Sequence, residues 1–289
     1  MSGRGAAGRG PSLRHPAEVP FFVVMVALNV VIVLVIVWAA VVVPFLPESL
    51  QGSAGADAVR AALIALLLFV PALVVVREVQ RATVRGTAVL LSERQFPELY
   101  RTADELAAAL RLPRCPDVFV TNGNGELNAF AAQAAGHDYV VLHSELFANL
   151  YAHNRDGLRF VLGHELGHIR LHHVSLWYQI AVAYSARIPV LGPTLSRLRE
   201  YSCDRHGAAA SPDGAAGLVL LTSGRYTESD VDVAQLLEQG RLLRGFWVGL
   251  AQLPRSHPFT VRRLDRLVDL GLLHPPGPLV AVRTQESAG

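Results

Sequence analysis

Lysine is missing altogether: every one of the 26 basic residues is arginine. This reads as a composition bias without functional content. Cysteine is nearly absent, with only Cys115 and Cys203, which excludes a disulfide framework and a Cys-rich zinc module. Charge of either sign is scarce, because 17% of residues are charged where a soluble chain carries about 25%. Part of the chain is therefore expected to face something other than water. A formal net charge of +2, with no basic stripe interleaved with aromatics, speaks against nucleic acid as a partner. Apolar residues are what the chain has in plenty, at 51% of 289 residues with a mean hydropathy of +0.33. That excludes disorder throughout.

The charge deficit is concentrated near the N-terminus. Between Glu18 and Glu48 no residue is charged, and the run Phe21 to Val43 is almost wholly apolar. A helix needs about 20 such residues to cross a bilayer core, and a cleaved signal sequence has a much shorter apolar region. A second run, Ala61 to Val76, lies between Arg60 and Arg77 and contains Pro71. It is long enough to span if both arginines snorkel outward. The spans are expected at about 20–43 and 59–76. Arginines cluster outside both, at Arg4, Arg9 and Arg14 and at Arg77, Arg81 and Arg85, so both flanks are expected in the cytoplasm. The organisation expected is a disordered tail over 1–18, a transmembrane hairpin over 19–77, a folded domain over 86–272 and a flexible tail over 273–289.

Within the folded domain, Leu99, Ala103, Leu106 and Leu110 recur at helical spacing from Pro97 to Pro113. Three short strands are expected at 117–121, 126–131 and 138–143, separated by Gly-containing turns. The segment Gly123 to Asn128 lacks the third glycine of a phosphate loop and leads into a strand, so it reads as a turn. Helices are expected at about 145–152, 155–173, 176–187, 195–209, 214–223, 231–252 and 260–270. The fold class is α+β, mostly helical, with a small β-sheet.

The chemistry is concentrated in His164-Glu165-Leu166-Gly167-His168. On a helix, residues four apart share a face, so both imidazoles can reach one ion. Glu165 lies about 100° round the helix, where a carboxylate can take a proton from water activated by the metal. A catalytic zinc usually has three protein ligands. Zinc proteases that place a third histidine six residues beyond the second, after a glycine, are excluded, because those positions are Val174 and Leu171. His172 and His173 read as a solvated helix end. Downstream, Glu200 and Asp204 are also four apart on an expected helix. They read either as a third ligand with a carboxylate orienting a ligand histidine, or as a solvated acidic face paired with Arg197 or Arg205.

HELGH followed by REYSCDRHG, with LNAFA at Leu127–Ala131 and SHPFTVRRL at Ser256–Leu264, resembles the membrane-bound zinc endopeptidases that include the HtpX heat-shock protease and the CAAX prenyl endopeptidase. The resemblance covers about residues 90–270. It implies a gluzincin-type metalloprotease domain with one zinc held by His164, His168 and Glu200, and with Glu165 as general base. Asp204 would orient a histidine ligand. Asn128, Ala129 and Phe130 would lie on a substrate-binding strand, and His257 and Arg263 would stabilise the oxyanion. The implied protein is an integral-membrane zinc endopeptidase, in a bacterial cell membrane, with a cytoplasmic catalytic domain. Its partners would be a protein or peptide substrate and the lipid bilayer. A catalytically silent zinc-binding membrane scaffold is the alternative, and the intact Glu165 argues against it.

Two positions depart from the family pattern. Relatives of these types carry further membrane spans between HELGH and the ligand glutamate, whereas Trp177 to Gly192 is interrupted by Arg187 and Pro189 and is too short to span. It is expected to lie on the membrane or to roof the cleft. Cys203 stands where many relatives have a small residue such as alanine.

Overall fold

The uncharged N-terminal run forms one uninterrupted helix, α1 (Glu18–Val42). Its 25 residues extend about 38 Å, enough for a hydrocarbon core of about 30 Å. A computed structural model describes residues 13–274. The tails expected before residue 13 and after residue 274 lie outside the described residues. Residues 14–18, expected to belong to the N-terminal tail, pack against the folded domain: the His15 N–H donates to Ser202 Oγ at 2.8 Å.

After α1 the chain turns through the short helix α2 (Glu48–Gln51) into α3 (Ala54–Thr87), capped by Ser53, whose hydroxyl accepts from the Ala56 N–H. Both α1 and α3 are long and apolar enough to cross a membrane, and Val23, Leu34, Leu67 and Val75 stand exposed along them. α3 continues well beyond the expected span without breaking at Pro71. Its C-terminal turns reach the folded domain, and this corrects one expectation. Arg77 does not snorkel outward; it is buried, donating to Gln133 O at 2.7 Å, Val174 O at 2.6 Å and Gln179 Oε1 at 2.9 Å. Three fixed acceptors replace the water that an outward-facing guanidinium would have had.

The sheet has four strands in the order β1-β2-β4-β3, where β1 is Val89–Leu90, β2 Asp117–Thr121, β3 Ala129–Ala134 and β4 His137–His143. β2 and β4 run parallel, and the other neighbours are antiparallel. β1 went unanticipated in the sequence. β3 begins three residues later than expected, so Asn128 precedes it. The β3–β4 hairpin closes on Ala135 and Gly136, both with positive φ (46° and 71°), the geometry that a two-residue type I′ turn demands. The strands are apolar on both faces because both are covered. Val118, Val120, Val140 and Leu142 join the main core with Leu99 and Leu106 of α4 (Pro97–Ala109), while Phe119, Tyr139 and Val141 pack with Val84 of α3.

Helices α5 (Ser144–His153) and α6 (Arg155–Arg170) follow the sheet. α7 (Leu176–Ala181) and a 3-10 turn at Ser185–Arg187 lead to α8 (Leu191–Ala210). The segment expected to lie on the membrane or roof the cleft packs against both long apolar helices. Asn29 Oδ1 of α1 accepts from the Tyr184 N–H at 2.7 Å, and the Tyr184 ring lies 5.7 Å from that of Phe69 in α3. Met25 of α1 forms a small core with Tyr178, Val182 and Leu195.

α9 (Ala215–Ser223), α10 (Val233–Leu242), α11 (Phe246–Gln252) and α12 (Thr260–Asp269) complete the described chain. The single helix expected over 231–252 is two, parted at Gly245, whose φ of 104° lies in a region open mainly to glycine.

Candidate metal centre

α6 carries His164, Glu165 and His168 on a helix buried along most of its length. Glycines on both helices let α8 pack closely against it. A Cβ on Gly163 would lie 2.5 Å from Ala210 Cβ, one on Gly167 3.0 Å from His206 Cβ, and one on Gly207 2.8 Å from Phe160 O. That close crossing brings Glu200 over the two histidines. His164 Nε2 and His168 Nε2 each lie 3.5 Å from a different carboxylate oxygen of Glu200. The three side chains form one of two groups of metal-capable donors among the described residues. Tetrahedral ligands at zinc–nitrogen and zinc–oxygen distances of about 2.0–2.1 Å stand roughly 3.3–3.5 Å apart, which the two nitrogen–oxygen separations of 3.5 Å match.

Glu200 and Asp204 are both buried, which disposes of the solvated acidic face. Arg197 pairs with neither; it donates to the carbonyls of Gln252, Leu253 and Arg255 at 2.9, 3.1 and 2.7 Å. Those bonds hold the loop that leads to His257. Asp204 Oδ1 lies 3.0 Å from His164 Nδ1, so it fixes the histidine from the side opposite Glu200. Arg263 of α12 grips the same carboxylate, with Nε 2.9 Å from Oδ2 and Nη2 2.6 Å from Oδ1. Its Nη2 is 3.8 Å from Glu200 Oε2. His257 Nδ1 lies 3.2 Å from Glu200 Oε2, with its side chain 64% exposed.

Burial disfavours a charged His164, but Asp204 and Glu200 outweigh it and push the imidazole up to about 10. Proton and metal therefore compete for this ring. Burial drives His168 well below its ordinary value, so that ring is neutral, as ligation requires. Burial also raises Glu165 above the usual carboxylate range, which brings it nearer the range of a working general base.

Glu165 shares a cleft of about 470 Å³ with Asn128, Ala129, Phe130, His257 and Arg263. The cleft is bordered by β3, the edge strand of the sheet. His143 N–H donates to Asn128 O at 2.9 Å, so by antiparallel alternation the backbone groups of Ala129 and Ala131 point toward the open edge. The Ala131 N–H accordingly meets the Glu165 carboxylate. All the residues singled out in the sequence thus border one cleft, apart from Asp204, which lies behind His164.

Residues 93–270 match the model of peptidase family M48. The chain belongs to that family. It is 29% identical over 131 residues to a protease HtpX homolog of Streptococcus gordonii, covering 45% of this chain and 42% of that protein. It is 29% identical over 207 residues to the plastoglobule-localized metallopeptidase 48 of Arabidopsis thaliana, covering 62% and 58%. A protease HtpX homolog of Polynucleobacter necessarius is 27% identical over 224 residues, covering 62% and 75%. The chain spans about two fifths of the Streptococcus relative's length. No solved structure matches it.

One residue of this M48 site overturns a reading of the sequence. His173 is not at a solvated helix end; it is fully buried, with Nδ1 3.2 Å from His168 Nδ1 and Nε2 3.1 Å from Glu18 Oε1. The cause is the way α6 ends. His172 takes a φ of 63°, the His173 N–H bonds to His168 O at 2.9 Å and the His172 N–H to Ile169 O at 3.0 Å. This paired closure is a Schellman motif, which folds the chain back. Burial, with the charges of Arg199 and Arg14, pushes His173 down to about 2, so it is neutral. His168, His173 and Cys203 make up the second group of metal-capable donors, with Cys203 Sγ 3.6 Å from His173 Nδ1. The two groups meet at His168 through opposite ring nitrogens.

Proposed function

We propose that this M48 protein is an integral-membrane, zinc-dependent endopeptidase whose catalytic domain faces the cytoplasm. The observation that carries this is the convergence of His164, His168 and Glu200 in the cleft that also holds Glu165 and the open edge of β3. Two imidazoles and one carboxylate, with a position left for water or substrate, are the donor set of a catalytic zinc. A zinc ion held there supplies a Lewis acid that makes water nucleophilic near neutral pH and polarises a peptide carbonyl.

The chain's own residues do the rest. A polypeptide substrate adds in extended form along β3 and bonds to the outward backbone groups of Ala129 and to the Ala131 carbonyl, with Asn128 and Phe130 beside it. Main-chain pairing of this kind makes side-chain selectivity weak. Glu165 takes the proton of the attacking water and returns it to the leaving amine. His257, exposed toward the cleft, donates to the developing oxyanion. Arg263 adds positive charge behind it while its Nε and Nη2 hold Asp204. Asp204 keeps the His164 proton on Nδ1, which leaves Nε2 for the metal.

Chelator-sensitive hydrolysis of a quenched peptide library by the full-length protein is the expected activity. Glu165→Gln should retain one zinc per chain and lose about 10²–10⁴-fold in cleavage rate. A zinc-loaded Glu165→Gln protein that cleaves as fast as the unaltered chain would sink the mechanism.

A further inference from the structure

Every metal-ligand histidine needs something to hold its other ring nitrogen, because that bond sets both tautomer and orientation. For His164 this is Asp204, one turn beyond Glu200 on α8. For His168 the partner comes from a different part of the molecule. Its Nδ1 faces His173 Nδ1 at 3.2 Å, and His173 Nε2 faces the carboxylate of Glu18, the first residue of α1, at 3.1 Å. Glu18 is only 2% exposed and lies between a guanidinium and a hydroxyl. Arg14 Nε lies 3.2 Å from Oε1. The Ser202 hydroxyl, which accepts the His15 N–H at 2.8 Å, donates to Oε2.

With Glu18 ionised beside Arg14, one arrangement of protons satisfies the contacts from Glu18 through His173 to His168. A carboxylate paired with the Arg14 cation and bonded by the Ser202 hydroxyl accepts, so His173 carries its proton on Nε2 and keeps Nδ1 as an acceptor. His168 must then donate from Nδ1, which leaves the lone pair of Nε2 pointing at Glu200 and the metal position.

We propose that Glu18 and His173 are positioning residues for the metal centre, and that through them the first apolar helix holds His168 in its ligating form. The inference rests on the reading of His164, His168 and Glu200 as the zinc site. It adds that this site is completed from outside the catalytic domain.

The test is zinc affinity of the full-length, detergent-solubilised protein by chelator competition, together with the absorption spectrum of the cobalt-substituted protein. Glu18→Ala and His173→Leu should each weaken zinc binding about 10–100-fold and change the cobalt spectrum. The double variant should be little worse than either single one, because both remove the same chain of contacts. Glu18→Gln is isosteric, keeps an acceptor oxygen and should restore most of the affinity lost in Glu18→Ala. Should Glu18→Ala fail to fold, Glu18→Gln still decides the matter: its cobalt spectrum should differ from that of the unaltered protein, since the charge facing His173 is gone.

Folded Glu18→Ala and His173→Leu proteins with unchanged affinity and spectrum would overturn the proposal. So would additive losses, or binding of a second zinc at His168, His173 and Cys203. If the unaltered protein binds no zinc, or binds it equally well after His164→Ala, the reading of the zinc site itself fails instead.

Discussion

Asp204 is fully buried, and two nitrogens of Arg263 neutralise it. Removing one partner of such a pair strands the other, so Arg263→Ala should lower stability by about 3–5 kcal/mol, read as a fall in the melting temperature of the metal-free protein. The difference should depend on pH with a definite sign. Although burial alone would raise it, Arg263 and His164 hold the Asp204 carboxyl below its ordinary value. Its contribution to stability is therefore full above the unfolded carboxyl's range, about pH 4, and fades as pH falls further toward the folded value. The melting gap between Arg263→Ala and the unaltered chain should hold steady from neutral pH down to about 5 and narrow below about 4. His164, Glu165 and His168 were legible in the sequence because helical spacing alone sets their geometry. The place of His173 was not, since it depends on a left-handed His172 and on a carboxylate 155 positions away.

Among the elements, the two long apolar helices and α6 were visible as local patterns, and the crossing of α6 with α8 was not. That crossing rests on Gly163, Gly167 and Gly207, which a reading of apolar periodicity does not register. The break at Gly245 was hidden for a related reason, because apolar spacing runs through it and only the backbone angle reveals the turn. The segment after α6 is a third case. Its length and its Arg187 and Pro189 rule out a span, yet Asn29 reaches it from the middle of α1, donating to Ile180 O at 3.4 Å and accepting from the Tyr184 N–H. About eleven residues into α1 corresponds to roughly 16 Å along the axis, which in the proposed topology is deep in the bilayer, where an unpaired N–H is costly. Asn29→Leu should cost about 1–3 kcal/mol, measured as a lower melting temperature and as faster proteolysis between α6 and α8.

For the molecule as a whole, the apolar hairpin and the folded domain interlock. α3 runs from the hairpin to the sheet, Arg77 ties it to β3 and α7, and Val84 covers the sheet's second face. The charge asymmetry that suggested orientation therefore applies to one connected body. Proteolysis of a C-terminal tag should occur only after cells are opened, while a tag inserted near Gly52 should be cleaved on intact cells. The opposite pattern would reverse the topology. The hairpin was legible from hydropathy, but its engagement with the domain was not, because buried arginine, glutamate and asparagine in or beside apolar runs look like span boundaries until their partners are seen.

The position of Glu18 bears on when such an enzyme becomes competent. Under the proposed function, an enzyme that pairs with the main chain of its substrates would be dangerous to the cell that synthesises it. If one ligand histidine is steadied from the first residue of α1, a chain whose leading helix has not yet reached its lipid home is also a chain that loads metal poorly. Insertion and maturation would then be a single event, with no separate inhibitor needed to keep the newborn enzyme harmless.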